Sequence, residues 1–400
     1  MPREHIARAT ADRTPALLVA HGGLRFVLFP IPIVTIFWID QLGMSLGDVL
    51  WLQAVFAAAV VTAEFPSGYL ADRVGHRTAL LVGAALWAVA WVLYARATAI
   101  ADVVVAEVVL GTGLAFASGA DAALLYRALA LRGAQDDYLR WEGRTRAAMQ
   151  GAESASSAIG GVLYGVAPRL PFWLQVPVGL ASVACAGAMR EPPRAPQAAR
   201  RAHLRAALHL VRHTLWRHPR LRSAVALHVA LSLPSFLMVW LVQAYMRDRG
   251  IPLAWFGPIW AAANAWLAVV SLLSARVAAT LGRRRTLLGC CLLAGAGYAL
   301  MAATHAAWGV VFYLCLMTLR GLQGPILTAT LQRDAPDEDR ASVLSLATLC
   351  FRSAVVVLGP AVGRLVDTVG LDGALPLMGA GFAAASLAAL FPFVRAHGRG

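Results

Sequence analysis

The sequence predicts an all-α membrane protein with twelve transmembrane helices. Of its 400 residues, 59% are hydrophobic and only 14% are charged, and the mean hydropathy is +0.64. A soluble domain is about a quarter charged, so this chain has too few polar residues to cover a water-exposed surface. The chain also contains twelve apolar segments near the length of roughly 20 residues that a helix needs to cross a bilayer.

The predicted spans form two sets of six. The first set lies at 17–39, 49–67, 79–95, 101–125, 145–166 and 170–189, and the second at 222–246, 252–276, 286–304, 306–331, 341–363 and 373–394. We therefore predict a six-helix bundle over 1–189, a cytoplasmic linker over 190–221 and a second bundle over 222–400. Apolar residues at helical spacing, opposite a basic face, predict an amphipathic helix at 199–217 of the linker.

The arginines predict the orientation of the chain. All 35 basic residues are arginine. If the N-terminus is cytoplasmic, 26 of them fall in cytoplasmic segments and five in the opposite loops. Positive residues concentrate on the cytoplasmic side of membrane proteins, so both termini are predicted to be cytoplasmic. These arginines lie in short loops, which argues against nucleic-acid binding as the reason for the net charge of +14.

The sequence offers no motif for a metal, a disulfide framework or a cofactor. Its five cysteines all lie in apolar segments and show no CxxC or Cys/His spacing. No HExxH, GxSxG or Walker motif is present either. We therefore expect no cofactor, and an intramembrane enzyme or a channel remains only as an alternative of a different class. The N-terminus lacks the features of a cleaved signal peptide, so the first helix is expected to be retained.

An internal repeat relates the two halves. The loop after the second span and the loop after the eighth align with a shift of 207 residues, which places Gly75 on Gly282 and Arg77 on Arg284. The chain is therefore predicted to be six helices followed by six similar helices.

Two motifs resemble those of a known family, the major facilitator superfamily. Its signature in the loop between helices 2 and 3 is matched by Gly68, Leu70, Ala71, Asp72, Arg73, Gly75 and Arg77. A second signature is matched by Arg320 and by Gln323-Gly324 in the predicted helix 10. The resemblance implies a secondary transporter of a small solute, with two pseudo-symmetric bundles around a site near the midplane. Its efflux-type bacterial branch further implies a monomer in the inner membrane with protons as the coupling ion.

The loop signature suggests a cytoplasmic gate. Gly68 and Gly75 are predicted to allow a tight turn between two spanning helices. Asp72 would bind the N-terminus of the eleventh helix, near residues 341–342, and hold the halves together on the cytoplasmic side. Alternatively, Asp72 and Arg77 only hold the loop to its own half.

Ionisable side chains at membrane depth are functional candidates, because burying a charge in lipid costs at least ~2.5 kcal/mol on insertion scales. They are Arg25, Glu64, Glu107, Asp121, Glu153, Arg320 and Arg352. The central cavity for substrate and protons is predicted to contain Arg25, Glu107, Glu153, Arg320, Gln323 and Arg352. In the alignment of the two halves, Glu153 corresponds to Arg352 and Glu107 to Arg320. Opposite charges at these related positions would face each other or a zwitterionic solute.

Simpler roles compete for several of these groups. Arg25 and Glu153 could form a buried pair within the first half. Glu153, Glu107 and Glu64 are the proton-carrier candidates in that order, but Glu64 could equally brace the loop. Asp121 is expected to brace the same loop through Arg73 or Arg77, as part of the gate. For the whole chain we prefer proton-coupled efflux, with proton-coupled import of a charged metabolite as the alternative.

Overall fold

The computed structural model describes residues 13–192, 217–336 and 340–397. Within these ranges the chain is almost entirely helical, and no strand is found. The amphipathic helix predicted in the linker falls almost wholly on residues 193–216, outside the described ranges, and stays a prediction.

The first nine helices belong to the N-terminal half of the chain. They are α1 Thr14–Arg25, α2 Val34–Leu42, α3 Leu46–Val74, α4 His76–Arg96, α5 Ile100–Ala117, α6 Ala120–Ala130, α7 Tyr138–Ala158, α8 Gly160–Val166 and α9 Leu170–Ala188. The other five are α10 Pro219–Asp248, α11 Phe256–Leu281, α12 Arg283–Ala303, α13 Tyr313–Asp334 and α14 Arg340–His397. Short 3-10 turns at Gln135–Asp137, Leu253–Trp255 and Ala307–Phe312 precede α7, α11 and α13.

Nine helical segments in the described ranges are long and apolar enough to cross a membrane. The predicted span 17–39 is not among them because it divides into α1 and α2 around a stretch that contains Pro30 and Pro32, and proline interrupts a helix. The span predicted at 145–166 divides into α7 and α8. The last two predicted spans lie in α14, which bends at Gly370 (φ 73°). The helical membrane fold is confirmed, and the count of twelve stays a prediction.

The described residues group into two compact units. The first comprises the described parts of Met1–Met44, Val55–Ala195 and Pro252–Ala261, and the second those of Ser45–Ala54, Pro196–Ile251 and Ala262–Gly400. Each unit thus holds most of one predicted bundle and a ten-residue segment from the sequence of the other. These two segments are 207 residues apart, which is the shift found between the repeated loops.

Each unit has its own apolar core. In the first, buried residues of α1, α4, α6 and α9 pack together, among them Leu18, Leu80, Leu124 and Ala186. In the second, buried residues of α10, α12, α13 and α14 do the same, among them Leu227, Cys290, Leu327 and Phe393.

A glycine lets two helices approach closely in each unit. A Cβ atom on Gly111 of α5 would lie 2.9 Å from the carbonyl oxygen of Phe56 in α3. A Cβ atom on Gly321 of α13 would lie 3.1 Å from the carbonyl oxygen of Leu267 in α11. Small residues at such crossings are typical of helices that pack in membranes. Each of the two units therefore has a close helix crossing at a glycine.

Candidate functional site

The turn between α3 and α4 consists of one residue, Gly75. Its φ of 111° favours glycine, and Gly282, its counterpart between α11 and α12, has a φ of 81°. The repeat therefore aligned the two turns correctly. The prediction that Gly68 also forms the turn is wrong, because α3 continues through Gly68 to Val74.

A carboxylate outside the loop signature holds the start of α4. The backbone N–H groups of His76 and Arg77 donate to the two carboxylate oxygens of Glu191, at 3.1 and 2.6 Å. The guanidinium of Arg77 donates to the carbonyl oxygen of Gly187, at the end of α9. An anion at a helix N-terminus satisfies otherwise free N–H groups. Sequence reasoning missed Glu191, and its only signal was an acid directly after the ninth helix.

The remaining gate residues are described in part. Arg73 stacks over the ring of Tyr69, with 4.7 Å between the guanidinium carbon and the ring centroid. The side chains of Asp72 and Ala341 lie outside the described part of the structure. The predicted binding of Asp72 to the N-terminus near residue 341 therefore stays a prediction.

Arg25 and Asp121 come together inside the first unit. A guanidinium nitrogen of Arg25 lies 3.9 Å from a carboxylate oxygen of Asp121, and the guanidinium stacks over Trp87 at 5.1 Å. Arg25 is buried, whereas the Asp121 side chain is 39% exposed. The expected contact of Asp121 with Arg73 or Arg77 is not found among the described residues, because the start of α6 brings Asp121 to α1 instead.

A cavity of about 220 Å³ adjoins this pair, between α1, α6 and α7. Its polar lining consists of His21, Arg25, Asp121, Glu142, Thr145 and Arg146. Glu142 and Arg146 form an ion pair of 2.9 Å along one face of α7. Burial and the nearby Glu142 carboxylate raise the pKa of the Tyr138 hydroxyl, at the start of α7.

Glu107 lies in the interior of the first unit, where only 4% of it is exposed. The hydroxyl of Tyr94, on α4, donates a hydrogen bond to its carboxylate. Tyr94 is in turn packed among the rings of Trp38, Trp91 and Phe172. Glu107 therefore contacts α4 of its own unit.

The two other proton-carrier candidates contact different partners. Glu153 accepts a hydrogen bond of 3.4 Å from the indole nitrogen of Trp260, which belongs to the first unit. Glu64 accepts one of 3.0 Å from the hydroxyl of Ser118, just after α5. The Glu64 contact joins α3 to the end of α5, and the roles of Glu64 as a proton carrier or as a brace of the loop stay predictions.

The second unit contains the candidates Arg320, Gln323 and Arg352. Arg320 is exposed on α13, and Arg352 is half-buried on α14. Gln323 is buried, and its amide donates to the hydroxyl of Ser232 at 3.3 Å. The predicted pairs Glu153–Arg352 and Glu107–Arg320 each combine residues of different units, and they stay predictions.

In the described part of the chain, charged and polar side chains thus lie within helices that are otherwise apolar. No group of His, Cys, Asp or Glu in this part is suited to bind a metal ion. The sequence profile of the Major Facilitator Superfamily matches residues 17–360, most of the chain. The chain belongs to this superfamily. It is therefore a secondary transporter and a multi-pass membrane protein, and not an enzyme.

Solved structures of other transporters share this fold. The crystal structure of the nucleoside transporter NupG superposes with a TM-score of 0.77 at 13% identity, covering 96% of this chain and 98% of that one. A POT family transporter in complex with 5-aminolevulinic acid gives 0.74 at 14% identity, with 96% and 97% covered. A D-xylose-proton symporter gives 0.72 at 15% identity, with 94% and 96% covered.

Proposed function

We propose that this superfamily transporter exports a small solute across a bacterial inner membrane in exchange for protons. The loop signature at 68–77, which resembles that of efflux-type members, supports the direction. The placement of Glu107 supports the coupling to protons. We further propose that the protein acts as a monomer, with bundles at 1–189 and 222–400 and both termini in the cytoplasm.

The observation that carries the proposal is a buried carboxylate with a neutral partner. Among the described residues, no basic side chain contacts Glu107, and its hydrogen bond comes from the uncharged hydroxyl of Tyr94. An ionised carboxylate is costly in such surroundings, and protonation removes that cost. A change in the access of water to Glu107 therefore changes its charge, which is what coupling to a proton gradient requires.

Proton flux in liposomes tests this proposal. Purified protein is reconstituted with a pH-sensitive dye inside, and a panel of small organic acids and cations is supplied on one side. For a solute that shows counterflow, wild-type protein is expected to move protons opposite to the solute, and Glu107→Gln to abolish the proton flux while counterflow remains. Asp136→Asn, which changes an exposed acid before α7, serves as the control and should leave both unchanged. If Glu107→Gln moves protons with the wild-type pH dependence, Glu107 is not the coupling group.

Import in the same direction as the proton is the second candidate. It is favoured by the structural similarity to the D-xylose-proton symporter, one of the transporters with this fold. The same assay separates the two functions, because a symporter moves protons and solute in one direction and an exchanger moves them in opposite directions.

A further inference from the structure

The cavity between α1, α6 and α7 combines a size and a charge arrangement that suit a small charged molecule. Its volume of about 220 Å³ is many times the roughly 10–15 Å³ that a cavity needs to hold one water molecule. All of its lining residues belong to the first unit. A small solute in this cavity would lie between three helices that carry charged side chains.

Arg25 is a buried cation whose hydrogen-bonding capacity is unused. Only 9% of the residue is exposed. Its closest carboxylate oxygen, on Asp121, is 3.9 Å away, which is beyond hydrogen-bonding distance. Within the described part of the chain, its guanidinium makes no hydrogen bond. A guanidinium has five N–H donors in a planar fork, and those of Arg25 are available to a solute in the cavity that this residue lines.

Asp121 is stabilised independently of Arg25. One of its carboxylate oxygens accepts a hydrogen bond of 2.8 Å from the N–H of Ala122, in the first turn of α6. A carboxylate in the first turn of a helix is also favoured by the helix dipole. An incoming anion that takes over Arg25 would therefore leave Asp121 with a hydrogen bond and partly exposed to solvent.

The other charges of the cavity are already matched. Glu142 and Arg146 pair with each other at 2.9 Å, with a second hydrogen bond of 2.9 Å from the Arg146 Nε atom. Arg25 is therefore the cation in this cavity that remains open to a bidentate partner. A carboxylate or a phosphate matches the fork of a guanidinium in that way.

His21 adds a second polar atom. Its imidazole is buried, with 1% exposed, and its Nδ1 atom lies 3.0 Å from the hydroxyl oxygen of Ser182. The Nε2 atom has no hydrogen-bond partner among the described residues. A buried polar atom that lacks a partner indicates a missing ligand or water, and His21 lines the cavity.

We propose that this cavity binds the oxyanion group of a small organic solute, with Arg25 as its bidentate partner and His21 as a hydrogen-bonding partner for a second polar group. Asp121 balances the charge of Arg25 while the cavity is empty of solute. This inference rests on the proposed transport function, since it names the chemical class of the solute. An organic carboxylate and inorganic phosphate share the recognising chemistry, and the experiment separates them.

Binding is tested on the purified full-length protein in detergent by the shift of its thermal unfolding midpoint. The probes are benzoate, its uncharged amide benzamide, and inorganic phosphate, each at millimolar concentration. Benzoate or phosphate is expected to raise the midpoint of the wild type, and benzamide is not. Arg25→Lys keeps the buried charge but loses the fork, and it should weaken binding at least about tenfold, as expected for losing one charge-assisted hydrogen bond. Asp121→Asn removes the competing anion and should retain or strengthen binding.

Arg144→Gln is the matched control, because Arg144 is an exposed arginine of α7 that does not line the cavity. Equal loss of binding in Arg144→Gln and Arg25→Lys would overturn the assignment of Arg25. So would wild-type affinity in Arg25→Lys, binding of benzamide as tight as that of benzoate, or no response to either oxyanion. Oxyanion binding that needs Arg25 but is followed by no proton flux in liposomes would instead refute the proposed coupling and leave the site in place.

Discussion

The hydrogen bonds of Asp367 at the start of α3 give the sharpest test of packing in the second unit. One carboxylate oxygen accepts a bond of 2.9 Å from the Ser45 hydroxyl, and the other accepts one of 2.9 Å from the N–H of Gly47. A carboxylate at a helix N-terminus satisfies free N–H groups and interacts favourably with the helix dipole. Asp367 lies on α14, more than three hundred residues further along the chain, and its carboxylate thus caps the N-terminus of α3.

The size of the effect follows from these contacts. Asp367→Ala removes two hydrogen bonds, each worth about 0.5–1.5 kcal/mol, and a dipole interaction of about 0.3–1 kcal/mol. Because Asp367 is exposed, we expect the lower part of this range, a loss of roughly 2 kcal/mol in the free energy of unfolding. The Ser45–Asp367 hydrogen bond alone should account for about 1 kcal/mol.

A double-mutant cycle isolates that bond. The free energy of unfolding is measured by reversible denaturation in mixed micelles for Ser45→Ala, Asp367→Ala and the double variant. Ser45→Ala alone would not isolate the bond to Asp367, because the Ser45 hydroxyl also accepts a hydrogen bond from the N–H of Asp48. The contribution of that second bond is the same with and without Asp367, so it cancels in the cycle. Thr368→Ala replaces Asp367→Ala in a control cycle, since the Thr368 hydroxyl bonds within its own helix. A Ser45–Asp367 coupling below about 0.3 kcal/mol, the limit of additivity for independent sites, would refute the cap.

Three further predictions concern the first unit and the repeated turn. Gly282→Ala should lower the free energy of unfolding by about 1 kcal/mol, because its φ is positive. Gly75→Ala should lower it further, because a Cβ atom there would also lie 2.7 Å from the Glu191 carboxylate carbon. Glu191→Ala should destabilise by about 0.5–2 kcal/mol, the usual cost of losing an N-cap. Tyr94→Phe should cost about 1–3 kcal/mol by leaving Glu107 without its donor. All are measured by the same denaturation.

Each of the three has an outcome that contradicts it. Equal effects of the two glycine substitutions would show that Glu191 does not crowd Gly75. An unchanged stability of Glu191→Ala would mean that the start of α4 is held by other groups. If Tyr94→Phe is as stable as the wild type, the hydrogen bond to Glu107 contributes nothing to the fold.

The helices were predictable because each depends on a local property of the chain. Long apolar runs and loop glycines are visible in the sequence, and the alignment of Gly75 with Gly282 identified both turns with positive φ. Where the prediction failed, the pattern was less specific than the structure. Gly68 resembled a turn residue but lies within α3, because a helix accommodates a single glycine at a cost of about 1 kcal/mol.

The polar contacts were far less predictable, because they join residues that are distant in sequence. Glu191 holds the start of α4 from more than a hundred residues away, and no motif marks it. The partner of Asp121 was expected to be an arginine of the loop signature at 68–77 but is Arg25 of α1. Spacing along one helix predicts which face a charge occupies, but the choice of partner depends on how several helices pack.

The state of the cysteines has a practical consequence for chemical mapping of this protein. All five are free thiols within helices, two of them buried and three half-buried. Thiols in apolar surroundings react slowly, since the thiolate is the reactive form. A single cysteine introduced into a loop should therefore be the main target of a membrane-impermeant maleimide, without removal of the native ones. The sidedness of every loop can be read by labelling intact cells in this way.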